Sequence, residues 1–286
     1  MVWQRSCATA LWRAALTHMR TPSQANSRHA RSLSPWGALL AGLVAGVSLV
    51  LLFCAPARWL AAAVRSGSDG MVNISDAQGT VWSGSGQLTL HGGQGSHDTS
   101  VLPGRLQWEL QATLGALTMD LRADCCAPAG ILLRLVPDWA GARLQLADHQ
   151  SHWPAQVLSG LGTPWNTIRP EGQLLLQSQS FVVQWNQGRW SCNGQLQLDA
   201  MDIASRLSTL RPMGSYRLVL HGAQTPRVEL TTLQGSLQLQ GSGQWAGNKL
   251  RFEGEASAAP DRAEALANLL NIIGQRVGAR SIIKLG

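Results

Sequence analysis

At 286 residues the chain can bury a sizeable core as one large domain or two modest ones. Its formal charge of +7 sits entirely in residues 1–65, which hold seven arginines and no acid, while the remainder balances sixteen basic against sixteen acidic side chains. A neutral body lacks the basic face that tracks phosphates, which excludes nucleic acid as a partner.

Residues 1–35 are rich in Arg, Ser and Ala and read as a disordered tail, with a helical turn or two around 8–19. Trp36–Ala55 then runs twenty residues without a charge, long enough at 1.5 Å per residue to cross a bilayer core of about 30 Å. Ala55-Pro56-Ala57 imitates a signal-peptidase site, but the long leader and long apolar run argue against a secretory signal. Phe53 is too bulky to precede a lipidated Cys54. Five arginines before the run and two just after it place the N-terminus in the cytoplasm. The expected layout is a tail (1–35), a transmembrane anchor (36–57), a linker (58–70) and an exported domain (71–286). Gly42 and Gly46 have a spacing that permits close helix packing in the bilayer.

From Met71 the helical period gives way to alternation, as in Arg105–Leu110, Gln195–Leu198 and Ser236–Gln240. Leu on one side and Gln, Arg or Glu on the other predicts an all-β, antiparallel domain covered on one face. Leu88, Leu106, Leu196, Leu237 and Leu239 belong to that apolar face. They line either an open, curled trough or the closed core of a sandwich, because both use one apolar face. The run GTVWSGSGQL at 79–88 sets Trp82 among glycines, and Trp190 and Trp245 echo it. These indoles read as sheet-edge packing elements whose glycines let backbone lie against a ring.

Asp261 with Glu264 predicts a capping box, and apolar residues at helical spacing predict an amphipathic helix over about 261–277. Ser281–Leu285 reads as a last strand. Of the five cysteines, Cys125, Cys126 and Cys192 fall in the exported part, where a Cys126–Cys192 disulfide is expected, with Cys125 as the alternative partner. Three buried thiols are the other reading.

No constellation calls for an enzyme, a metal or a cofactor. Ser96-His97-Asp98 has triad composition, but adjacent residues cannot converge on one reacting atom. His149 and His152 lack the glutamate of a zinc helix. Gly241 and Gly243 lie between strands, away from any strand-to-helix turn that would hold a dinucleotide.

The stretches GTVWSGSGQL (79–88), GLGTPWNTIRPEGQL (160–174), LSTLRPMGSYRLVL (207–220), LQGSLQLQGSGQWAGNKLRFEGEASAAP (233–260) and ALANLLNIIGQRVGARSIIKLG (265–286) together resemble the type II secretion system protein N family, also called general secretion pathway protein N. The resemblance runs from about residue 36 to the end. Its marker positions are Gly79, Trp82, Gly84, Trp245, Asn268, Asn271 and Gly274. The 35-residue leader is longer than the family usually carries, which points to a start downstream of Met1, such as Met19. The resemblance implies a single-pass protein of the Gram-negative inner membrane with a periplasmic C-terminal domain. It implies a non-catalytic assembly role beside other inner-membrane and periplasmic secretion components. A trough-shaped domain is also similar to periplasmic lipid-handling proteins of the AsmA-like kind, which makes lipid an alternative partner.

Overall fold

The computed structural model describes residues 35–92, 98–247 and 249–286. The tail with Cys7, the glycine-rich run with Ser96 and His97, and Asn248 lie outside the described residues. The chain divides into two compact units, Met1–Leu49 and Val50–Gly286.

Helix α1 (Pro35–Phe53) carries no charge, and Leu39, Leu43, Val44 and Phe53 are exposed along it. Among the described residues no helix is long and apolar enough to cross a membrane. Pro56, with its fixed φ, opens helix α2 (Ala57–Gly67) inside the segment expected to be a linker. Its Ala57, Leu60, Ala61 and Val64 fall on one face and pack with Ile74 and Trp108.

The rest of the chain forms one open, antiparallel sheet. Its strands are β1 (Val72–Gly79), β2 (Ser83–His91), β3 (Thr99–Val101), β4 (Leu106–Thr113), β5 (Ala116–Ala123), β6 (Ala127–Asp138), β7 (Gly141–Leu146) and β8 (His149–Pro154). After the short helix α3 (Trp165–Ile168) come β9 (Glu171–Asn186), β10 (Arg189–Ala204), β11 (Gly214–His221), β12 (Arg227–Gly235), β13 (Leu237–Ala246) and β14 (Lys249–Ala258). Helix α4 (Ala263–Ile273), β15 (Gln275–Val277) and β16 (Arg280–Leu285) end the chain. Neighbours in sequence are mostly neighbours in space, with β1 and β15 as the edges. The long β9 is paired along its second half by β7 and along its first half by β8, so two short strands share one template. The strands join in a single open antiparallel sheet, as an all-β domain requires.

Helix α4 supplies the main core. Leu266, Leu269 and Leu270 are fully buried against Leu174, Ile203, Tyr216, Leu237 and Ala256. Each such leucine is worth about 1.5–3 kcal/mol in area removed from water. The capping box does not form: Asp261 lies in a preceding 3-10 turn, Arg262 occupies the N-cap position, and no side chain caps the helix. The helix also stops at Ile273, four residues short of Val277. Gly274 is extended there, a Cβ on it would meet the Ile282 carbonyl at 2.5 Å, and the chain turns into β15 beside β16. Asn268 and Asn271 lie on the exposed face of α4.

The glycine-rich tryptophan run is explained by a ring from another strand. Gly84 of β2 stands opposite Trp108 of β4. A Cβ at Gly84 would meet the Trp108 ring and the Gln78 carbonyl, both at 2.5 Å. The buried Trp108 indole donates from Nε1 to the carbonyls of Thr80 and Val81 at 3.2 and 3.1 Å. Gly79 takes φ +90° to let the chain double back beneath it. Trp82, the indole inside the run, is only half-buried.

Gly84→Ala is expected to force the indole off this seat and destabilise the domain by about 1–3 kcal/mol. A fall in the urea midpoint of the purified protein, with Ser83→Ala as a neutral exposed control, checks it.

Candidate functional site

Cross-strand register turns the leucine alternation into continuous apolar rows. One row runs Leu110, Met119, Leu133, Leu146 and Phe181 across β4, β5, β6, β7 and β9. The next runs Leu117, Leu135, Leu144, Val183 and Cys192. In the other half Leu196, Leu220 and Val228 align on β10, β11 and β12. Met119, Leu133, Leu135, Leu144, Leu146 and Leu196 are half-buried and belong to none of the three buried clusters. An apolar sheet face left half-open is a surface that can take an apolar guest.

The five leucines expected to share one groove or core do not come together. Leu237 and Leu239 pack with the α4 cluster. Leu106 joins the cluster of Leu102, Ala123, Cys126 and Ala127, and Leu88 touches both that cluster and the α2 cluster. Leu196 alone lies on the half-open rows. Alternation assigns all five to one face, but which part of the face a helix covers depends on where α2 and α4 dock. The open rows on β5, β6 and β7 carry the same alternation and were not singled out by it, because register is set across strands.

The tryptophan echoes do meet. Trp190 and Trp245 pack edge-to-face with centroids 5.5 Å apart, beside the β11–β12 turn. That turn is held by Gly222 N–H donating to the Gly194 carbonyl and Trp245 N–H donating to that of Pro226.

The cysteine pairing departs from expectation. Cys125 and Cys126 are bonded to each other in the β5–β6 turn, and Cys192 is a free, fully buried thiol on β10. Cys126 is turned into the Leu102 cluster, whereas Cys192 faces Val183 and receives a backbone bond from Ala223 at the β11–β12 turn. The expected Cys126–Cys192 partners belong to different parts of the sheet. Burial pushes the Cys192 thiol up, away from the reactive thiolate.

Polar groups elsewhere do structural work. His149 and His152, three apart on β8, point to opposite faces. His149 Nδ1 is 2.6 Å from Ser178 Oγ, and His152 N–H donates to the Cys126 carbonyl. A polar cleft of about 340 Å³ between Asp98, Gln156, Asn166, Arg169 and Arg206 is crossed by an Asn166-to-Asp98 bond of 2.6 Å. Among the described residues no group of three His, Cys, Asp or Glu could hold a metal ion. On the polar face Arg217 grips the buried Asp199 through two bonds of 2.7 and 2.8 Å. These bonds hold the Asp199 carboxyl below its ordinary value of 3.8.

Two comparisons found nothing: no curated protein and no solved structure matches the chain. A family model described as type II secretion system (T2SS), protein N, matches residues 70–282. That span holds the sheet from β1 into β16.

Arg217→Ala is expected to leave the Asp199 carboxylate buried without its cation and to cost about 1–3 kcal/mol. Because the folded pKa lies below 3.8, the pair contributes fully above that pH and loses its contribution as pH falls below it. Denaturant midpoints should therefore separate wild type from Arg217→Ala at neutral pH and converge in acid.

Proposed function

The chain belongs to the type II secretion system protein N family, and on that premise we propose that it is a non-catalytic accessory of the secretion machine, assisting assembly beside inner-membrane and periplasmic components for export of folded proteins across the outer membrane. The match over residues 70–282 carries the reading, since it takes in nearly the whole sheet. In this arrangement residues 1–35 lie in the cytoplasm and 36–57, which contain most of α1, anchor the chain in the inner membrane. Residues 71–286 work in the periplasm. The charge-free sequence of α1 and the arginine imbalance around it support that topology.

A second reading, favoured by the half-open apolar rows, is that the sheet also shelters acyl chains, as an AsmA-like lipid-binding trough would. The two roles are compatible in one molecule.

A clean deletion should trap exported hydrolases in the periplasm, with secretion restored by the full chain. Enzyme activity in medium and periplasm reads the first role, and detergent sensitivity of the same cells reads the second. Normal secretion from a detergent-sensitive strain would displace the secretion role in favour of lipid handling.

A further inference from the structure

The meander brings a set of turns to one end of the sheet. β1, β4, β6 and β9 run toward that end, so the turns β1–β2, β4–β5, β6–β7 and β9–β10 all lie there. Two of these turns carry a large apolar residue at the tip. Leu114 is 108% exposed and Trp139 104% exposed, which means each touches almost nothing of its own protein. Trp185, near the β9–β10 turn, is also exposed.

The tips are held. Trp139 N–H donates to Asp138 Oδ1 at 2.7 Å, and Gln187 N–H donates to the Ala140 carbonyl at 3.1 Å, which ties two turns together. A Cβ on Gly141 would collide with the Trp185 carbonyl, so only glycine lets β7 lie this close to β9. An ordered, solvent-facing indole on a braced turn gains nothing for folding.

The same end is where the chain leaves for α1. Val81 N–H donates to the Ala55 carbonyl at 2.8 Å, and Pro56 bridges Thr80, so the segment just after α1 is fixed beside the β1–β2 turn. Around the tips the exposed charges are Arg143, Arg189 and Asp138, a cationic excess. Indole, leucine and arginine on one rim are the side chains favoured at the boundary between headgroups and acyl chains, and the excess charge suits anionic lipid.

We propose that Leu114 and Trp139 dip into the bilayer surface and hold the sheet against the membrane by its turn rim. The proposal rests on the reading of α1 as a membrane anchor. A protein partner would be offered a broader face than two separate tips.

The test uses the full chain in vesicles of phosphatidylethanolamine and phosphatidylglycerol, with and without dibrominated acyl chains that quench nearby indoles. The emission of Trp139 is taken as wild type minus Trp139→Phe, and that of Trp165, at the opposite end of the sheet, as wild type minus Trp165→Phe. Brominated lipid should remove most of the Trp139 emission and leave that of Trp165 intact. Leu114→Trp should add an indole that is quenched like Trp139. Trp139 emission that is water-like and unquenched overturns the proposal, and the tips then face solvent or protein. Alkaline carbonate washing of the same vesicles reads α1 separately. A chain stripped from the lipid refutes the anchor, and quenching measured before the wash still decides the turn rim.

Discussion

A pleated antiparallel sheet points every second side chain the same way, so a meander of this length generates far more apolar face than its helices can cover. The fold depends on where that limited cover is placed. Helix α4 is spent on the strands from β9 to β16, where Leu266, Leu269 and Leu270 are the largest fully buried side chains of the cluster. Helix α2 covers the start of the sheet over Ile74 and Trp108. The strands between receive the Leu102 cluster at one end and are left with half-open rows along the rest.

That distribution separates the molecule into a consolidated part and a receptive part without dividing the sheet. β9 and β10, sixteen residues each, run through both. Their first and second halves are joined at a shared irregularity, where Ser180 takes φ +47° and donates its N–H to Asp148 Oδ1, and Gly194 takes φ +84° opposite. The open rows and the α4 core are therefore built on the same continuous strands.

How much of this could be read from the chain differs by element. The two-residue period of Leu and Gln was enough for an antiparallel sheet, because the pleat maps it directly onto faces. The register is not legible, so Met119, Leu133 and Leu146 give no sign that they form a row. In GTVWSGSGQL the glycines suggest backbone lying against the run's own Trp82, yet the ring at Gly84 is Trp108 from β4, which no local pattern could name. Trp190 and Trp245 looked like separate echoes and turned out to pack on one another. The cysteine pairing failed for the same reason, since Cys192 and Cys126 are brought to different places by pairings that sequence spacing does not encode. Asp261 and Glu264 have the spacing of a capping box, but Pro260 starts a 3-10 turn that takes up the position the cap would need.

The strand path of this open sheet ends at β1 and β15, and exposed edges recruit strands from other chains. Here the two ends are unlike each other. At β1 the chain breaks its own regularity between Ser75 and Gln78, with Asp76 at φ +49°, while α2 packs alongside. At the far end β15 is three residues long and presents Arg276. A broken, charged strand on one side and a stub on the other give an incoming strand too little straight backbone to pair with. Copies of the chain are thereby given little purchase for polymerising through these two ends of the sheet.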